Sequence, residues 1–404
     1  METTVFEWLS TGVRWLHVIA GIAWLGASFY FQGLARRLRQ RATRPSGAEA
    51  DVWEVHGFGF FQVVHYLVPP PSMPPAEELV WYRWQANTTW LSGFALLSLV
   101  YYLKPELYLI APAVLNMPAW AAIAASVLGL CAAWIAYDTL CRSVLSRNGA
   151  MLHCSAFLLF VACAYAASRL FSPRGAFMQI GATMGTIMLA NVFFFIIPSL
   201  RKLVADIPAR KSPDAAVLEQ YRQRSLHNNY LSLPVIFVMI GNHFPLAFAT
   251  PYAWLIVSLI VLIGAAIRHF FNTMHKTKRK LIWPWCAAAL LFGCVIALSE
   301  LGRQKPVPTI AAVTTVSAVH MADVQQVVNA RCVLCHSREP VWPDLAAPPK
   351  GVVLETVEDL RNHAADINRQ AVLSHAMPPA NLTAITDAER ERLGLWFRDG
   401  ARIN

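Results

Sequence analysis

The sequence predicts an all-α fold, a polytopic bundle of about eight membrane spans followed by a small soluble helical domain. Three observations predict it. Of the 404 residues, 56% are apolar and only 14% charged, whereas soluble domains carry about 25% charged residues. Apolar stretches of spanning length recur through the first three quarters of the chain, and past Glu300 the composition turns polar. The 14 Trp, 21 Phe and 11 Tyr exclude a disordered chain. Lys and Arg total 34 against 24 Asp and Glu, a net charge of +10. In a chain this apolar, that excess marks membrane orientation and not nucleic-acid binding. Eight Cys are too sparse and scattered for a disulfide scaffold.

A spanning helix needs roughly 20 mostly apolar residues. The stretches that qualify are 8–34, 86–103, 113–137, 150–171, 176–199, 230–249, 252–271 and 281–301. The first lacks the basic start and cleavage site of a signal peptide and reads as a true span. Pro234, Pro245 and Pro251 interrupt the sixth and seventh. Arg36, Arg37, Arg39, Arg41 and Arg44 follow the first span, and Arg142 and Arg147 the third. Arg201, Lys202, Arg210, Lys211, Arg222 and Arg224 follow the fifth, and Lys276, Lys278, Arg279 and Lys280 the seventh. Alternate loops hold only Lys104, Arg169 and Arg174. The positive-inside rule therefore puts both termini outside.

The chain divides into a membrane domain, 1–301, a Pro- and small-residue linker, 302–319, and a compact domain, 320–404. A short helix, 322–330, leads into Arg331-Cys-Val-Leu-Cys-His336. Cys-x-x-Cys-His attaches c-type haem: Cys332 and Cys335 meet the two vinyl groups and His336 reaches the iron. A redox dithiol or half a zinc site is the bland alternative. Met377, on the Ala376-Met-Pro-Pro379 loop, argues against it, because a thioether opposite His completes a cytochrome c iron site. His375 and His363 compete with Met377 for that role. A closing helix, 387–400, places Leu393, Leu395, Trp396 and Phe397 on the core. One covalent haem c is predicted, and its domain lies in the periplasm of a bacterial inner membrane. The other six Cys (131, 141, 154, 163, 286, 294) read as small buried thiols.

Ionisable residues within spans are functional candidates. His17 lies deep in the first span and His243 closes the sixth, forming an outer pair. His153, His227 and His269 form an inner group. His17, His243, His269 and His227 are candidate ligands for one or two b haems; hydrogen bonding to a neighbouring helix is the alternative for each. A hydrocarbon core about 30 Å thick exceeds a single electron-tunnelling step. Oxidation at the inner face would need a relay, and oxidation at the outer face would not. The inner segment 35–85 carries His56-Gly-Phe-Gly-Phe-Phe, His65 and Trp81-Tyr-Arg-Trp84. It is too long and too rich in Pro and aromatics for a plain connector. Arg83 with its aromatic neighbour Trp84 suits a flat, anionic heterocycle, although interfacial anchoring is the simpler use of such aromatics. Nucleophile elbows, Walker A loops, dinucleotide fingerprints and zinc-protease motifs are absent.

The sequence resembles the bacterial membrane-bound urate oxidases (urate hydroxylases) with a fused cytochrome c, over essentially the whole chain. The likeness is carried by Trp15-Leu-His-Val-Ile-Ala-Gly-Ile-Ala-Trp-Leu-Gly26 and Trp84-Gln-Ala-Asn-Thr-Thr-Trp-Leu-Ser-Gly-Phe94. It extends through Gly185-Thr-Ile-Met-Leu-Ala-Asn-Val-Phe-Phe194, Leu226-His-Asn-Asn-Tyr-Leu-Ser-Leu-Pro234, Gly241-Asn-His-Phe-Pro245 and Arg268-His-Phe-Phe-Asn272. The first span is also similar to membrane haem-b proteins such as the bacterial protoporphyrinogen oxidases, which supports His17 as a ligand by analogy. One departure is His56-Gly-Phe-Gly-Phe-Phe, where relatives read His-Gly-Gly-Gly-Phe-Tyr. The resemblance implies oxidation of urate to 5-hydroxyisourate with water as oxygen source. Electrons would pass through haem to a downstream cytochrome or terminal oxidase, without peroxide. Urate is a planar anion near neutral pH, so that chemistry needs Arg and aromatic contacts and a general base; Arg83 and Trp84 are the binding candidates and His56 or His65 the candidate base. A membrane dehydrogenase for another small substrate and an anchored electron carrier are the rival classes; nucleic acid is not an expected partner.

Overall fold

A computed structural model of the protein describes residues 2–68, 70, 73–205, 214–241, 243–277, 281–301, 319–342, 345 and 347–402. The expected linker lies outside them except for Val319, as do Arg210, Lys211, Lys278, Arg279 and Lys280. Helix α1 (Glu2–Arg37) ends on Arg36 and Arg37, cations that complement the helix dipole. Two strands follow, β1 (Ala50–His56) and β2 (Gly59–His65), paired antiparallel from Ala50↔His65 to His56↔Gly59. This hairpin corrects the all-α expectation. Its Gly57-Phe58 turn holds both residues at positive φ, 56° and 60°, as a two-residue hairpin turn requires. The departure from the glycine-rich motif thus puts a phenylalanine in a conformation glycine adopts freely. Tyr30 donates to Glu54 at 2.6 Å, Arg37 lies 3.6 Å from the same carboxylate, and Arg39 bridges to Asp51. The hairpin is therefore pinned to the end of α1.

Helix α2 (Arg83–Leu97) continues through a π turn, Ser98–Tyr102, to the short α3 (Pro105–Tyr108). Then come α4 (Ala119–Arg142), α5 (Gly149–Leu170) and α6 (Pro173–Asn191), whose π turn, Val192–Ile196, leads into α7 (Ile197–Ala205). Helices α8 (Ala215–Gly241), α9 (Ala253–Thr277) and α10 (Trp283–Leu301) complete this unit. Among the described residues, six helical segments are long and apolar enough to cross a membrane: Val5–Arg37, Ala119–Arg142, Gly149–Leu170, Pro173–Ala205, Ala253–Met274 and Trp283–Leu301. Two of the eight expected spans, α2 with its extension and α8, form in the same bundle but are more polar. In α8 the cause is plain: Arg224, His227, Asn228, Asn229 and Ser232 are buried. Polarity turned inward lowers the mean hydropathy of a helix without exposing a charge. Helix α8 also begins at Ala215, well before the expected 230.

Helix α6 is the axis of the bundle, burying twelve residues, among them Met184, Ile187 and Asn191, against α4, α5 and α8. The outer surface shows Trp15, Ile22, Leu128, Leu158 and Leu290, the composition that hydrocarbon requires. Cys131, Cys154, Cys286 and Cys294 share that exposure and Cys163 is half-buried; only Cys141 is buried, which corrects the expectation of six interior thiols. A second core belongs to α11 (Met321–Arg331), α12 (Val333–His336), α13 (Val357–Asn362), α14 (Ala364–Ile367) and α15 (Asp387–Arg398). It is centred on Val324, Val328, Leu360, Leu393 and Trp396. Thr356 with Asp359, and Thr386 with Glu389, make capping boxes that start α13 and α15. The Pro379–Asn381 turn packs against α3.

Gly264 lets α9 approach α8 at Pro234; a β-carbon there would stand 2.5 Å from Pro234 Cδ. Gly264→Val should force the two helices apart and cost roughly 1–3 kcal/mol, read as a lower Tm of the detergent-solubilised protein. Gly293→Ala, with nothing within 4 Å of its added carbon, should change stability by no more than about 0.5 kcal/mol.

Candidate functional site

The end of the bundle where α1 stops, α4 finishes and α5 begins carries the basic residues, and its interior is polar. Asp138 on α4 accepts from Arg224 Nη2 at 2.6 Å and from Arg142 Nε at 2.7 Å. Arg224 is 1% exposed; its Nη1 donates to Asn191 Oδ1 at 3.2 Å, and its plane lies 4.0 Å from the Phe195 ring centroid. Asn191 Nδ2 donates to Asn228 Oδ1 at 2.8 Å and to Tyr137 Oη at 3.2 Å. Tyr137 Oη in turn shares a 2.6 Å hydrogen bond with His227 Nδ1. His153 meets His227 edge-on, with ring centroids 5.3 Å apart, and touches Tyr230, whose hydroxyl bonds His269 Nδ1 at 3.1 Å. The structure thus gathers the expected inner histidines into one chain with two tyrosines.

A second centre lies at the junction of α1, α8 and α9. Arg268, 7% exposed, donates through Nε to Asn229 Oδ1 and through Nη2 to Gln32 Oε1 at 3.2 Å. Asn229 Nδ2 donates to Asn272 Oδ1 at 3.0 Å. Asn272 Nδ2 is buried with no hydrogen-bond partner among the described residues. Phe29 covers the Arg268 guanidinium at 4.4 Å, and Arg36 Nη1 donates to the Phe271 carbonyl at 3.3 Å beside it. No carboxylate pairs with Arg268 or Arg36 among the described residues.

His17 lies between these centres and the opposite end. Its Nδ1 donates to the Thr89 carbonyl at 2.9 Å, and its ring packs where a β-carbon on Gly93 would stand 2.8 Å from Cε1. Nε2 is left without a protein partner among the described residues. His243, on the turn after α8, is exposed, and no hydrogen bond or ring contact joins it to His17. His56 and His65 are exposed at opposite ends of the hairpin, six strand steps or about 20 Å apart, so one bound substrate cannot use both. Arg83 stacks on Trp84 at 5.6 Å, but Trp84 is 65% exposed. No contact brings this pair to either hairpin histidine.

In the C-terminal unit, α12 sets Cys332, Cys335 and His336 at one helix start, with both sulfurs free thiols. His336 Nδ1 donates to the Val352 carbonyl at 2.9 Å, leaving Nε2 open, the arrangement by which iron-ligating imidazoles are oriented. Burial pushes the His336 ring below the usual histidine range and so keeps it neutral, the ligating form. The Cys332 thiol is pushed up to about 12, chiefly by burial. Met377 packs half-buried on the same core; its N–H donates to the Gln370 carbonyl at 2.9 Å and its carbonyl accepts from Arg390 at 2.8 Å. His375 is held at φ 51° on the same loop, and His363 pairs with Asp366 at 3.7 Å. Two thiols, an oriented imidazole and a fixed thioether fit a covalently attached haem.

Sequence reasoning gave no site role to Asp138, Tyr137, Asn191, Asn228, Asn229, Arg268 or Asn272, and read Arg224 as a loop charge. The usable signal was the pairing of one acid with one base inside apolar helices, and the Asn228-Asn229 doublet.

The fold and site define a class: an apolar helical bundle with a buried polar end, joined to a small helical unit bearing a Cys-x-x-Cys-His motif. Within that class the chain belongs to the Urate oxidase N-terminal family, whose model matches residues 3–299. The protein is therefore urate oxidase-like and an oxidoreductase, with urate the substrate consistent with its family. Neither a curated protein nor a solved structure matches the chain.

Asp138→Asn leaves Arg224 buried without its counter-charge, which should cost about 3–5 kcal/mol. Asp138→Asn with Arg224→Met should recover most of that loss in the same thermal unfolding measurement.

Proposed function

We propose that this protein is a membrane-bound enzyme that oxidises urate to 5-hydroxyisourate. Urate and one water give 5-hydroxyisourate, two protons and two electrons; the electrons leave for a downstream cytochrome or terminal oxidase, and no peroxide forms. The observation that carries this reading is the presence in one chain of a family domain over 3–299 and a donor set of Cys332, Cys335, His336 and Met377. Haem c, held by those four residues, would supply one-electron acceptance. The chain's own part there is to fix the His336 imidazole through Val352 and the Met377 loop through Gln370 and Arg390.

All eight long helices are read as spans of a bacterial inner membrane, with α2 and α8 carried across by burying their polar faces. The C-terminal unit is read as periplasmic. Two observations support that side: the basic loops cluster at the opposite end, and the turn at 379–381 packs on α3, beside the sparsely charged loop of Lys104. His17, with Nδ1 held by Thr89 and Nε2 open, is the imidazole best prepared to hold a b-type haem. His227 and His269, whose Nδ1 atoms are held by Tyr137 and Tyr230, are the further candidates, with His243 the least enclosed.

The test is an anaerobic reduced-minus-oxidised spectrum of the purified full chain, with urate and then dithionite as reductant. Urate should reduce a c-type band, and aerobic turnover should yield no peroxide; reduction by dithionite alone would favour the electron-carrier alternative. Met377→Ala should leave haem attached through Cys332 and Cys335 but lower its reduction potential, measured by redox titration. An unchanged spectrum and potential would show that another side chain, not Met377, holds the iron.

A further inference from the structure

The Arg268 centre is built like a binding site and not like a structural ion pair. Arg224, in the neighbouring centre, has Asp138 at 2.6 Å; Arg268 has only neutral partners among the described residues, and Arg36 adds a second cation from α1. A buried guanidinium without a counter-charge is expensive in a membrane-embedded protein, so the site is incomplete as it stands.

The hydrogen-bond order says what is missing. Arginine can only donate. Its bond to Asn229 fixes that amide with the oxygen toward Arg268 and the nitrogen toward Asn272. Asn272 must then receive with its oxygen, so its free group is an N–H. The orphaned atom is indeed Asn272 Nδ2, on a side chain that is 6% exposed. The centre therefore offers unspent donors and positive charge, walled on one side by Phe29. Tyr230 touches Asn229's neighbourhood from the same helix and leads to His269. A flat anion with carbonyl and ring-nitrogen acceptors along its edge satisfies all of this at once.

We propose that Arg268, Arg36 and Asn272, set by Asn229 and Gln32, form the binding subsite for the urate anion, at the basic end of the bundle. This assignment rests on the urate-oxidising function proposed above. It moves the substrate away from Arg83 and Trp84, which are mutually stacked at the surface. The same donor set could take a lipid phosphate, and the experiment separates the two sources.

The full-length protein, in nanodiscs of neutral phosphatidylcholine, is assayed for urate oxidation with an artificial acceptor and for radiolabelled urate binding by equilibrium dialysis. The variants are Asn272→Asp, which gives Arg268 the carboxylate it lacks without adding an unpaired charge, and Arg268→Lys. Asn272→Asp should raise the urate KM by about 30-fold or more and Arg268→Lys by about 10-fold, as expected when a charge-assisted contact is neutralised or loses its fork. The dithionite-reduced spectrum should not change in either. A wild-type KM in both variants, with that spectrum intact, overturns the subsite and leaves the urate reading standing. If the wild-type chain does not oxidise urate, dialysis decides the subsite separately: binding that Asn272→Asp abolishes supports it, and no binding, or equal binding by both, overturns it. Phospholipid that co-purifies with wild type but not with Arg268→Lys, and that urate does not displace, assigns the centre to a headgroup and overturns it as well.

Discussion

A guanidinium or amide placed among apolar helices must find its partners inside the protein, because hydrocarbon offers none. That constraint explains why α8 exists in its present form. The helix carries Arg224, His227, Asn228 and Asn229 within six residues, and each meets a side chain or carbonyl from α4, α6 or α9. The helices that touch α8 supply the complements in register: Asp138 and Tyr137 near the end of α4, Asn191 at the end of α6, Asn272 near the end of α9. Withdraw α8 and three neighbouring helices, α4, α6 and α9, are left with orphaned polar groups. The apolar packing of Met184, Ile187 and Val238 fills the bundle, but the polar contacts specify which faces meet.

The same constraint limits what can be read from sequence. Span-length apolar runs disclose α1, α4, α5, α6, α9 and α10 because their exposed outer faces are apolar and dominate the composition. The span read at 230–249 catches only the last part of α8; its first half, from Ala215, hides because its polar residues look like loop residues until the partners on other helices are known. Arg224 counts equally well as a cytoplasmic loop charge or as half of a buried ion pair, and only Asp138, 86 residues away, decides. The hairpin was obscured for a different reason. Its strands alternate imperfectly, and Gly57-Phe58 lacks the Asn-Gly or Asp-Gly pair that marks such turns. The C-terminal motif, by contrast, is local: Cys332, Cys335 and His336 sit on one helical turn, so their grouping is visible from spacing alone. Met377 is distant in sequence yet legible, because Pro378 and Pro379 mark a rigid loop.

The last turns of α1 join parts that the sequence keeps separate. Phe29, Gln32 and Arg36 face Arg268 and α9, while Tyr30, Phe31 and Arg37 face the hairpin and Tyr82 at the start of α2. A displacement of the hairpin would therefore be felt at the Arg268 centre through a single helical segment. This gives the 35–85 segment a role even with His56 and His65 remote from each other: it braces the helix end that borders the proposed anion site.

Placing the substrate anion at the basic end has a consequence for electron flow. The Pro379–Asn381 turn of the C-terminal unit packs on α3, at the far end of the bundle, and the hydrocarbon core of a bilayer is about 30 Å thick. One transfer cannot cover that distance, so under the proposed reading oxidation at Arg268 would call for an intermediate redox group. His17 is the imidazole found at intermediate depth. Its Nδ1 is tied to α2 at Thr89, and the close approach at Gly93 fixes the ring against the helix whose far end runs through Ser98–Tyr102 to α3 itself. A relay held by His17 would thus share one rigid element with the surface on which the C-terminal unit rests. Under the proposed reading, an anion site at one end and an electron outlet at the other would give the histidine between them a role.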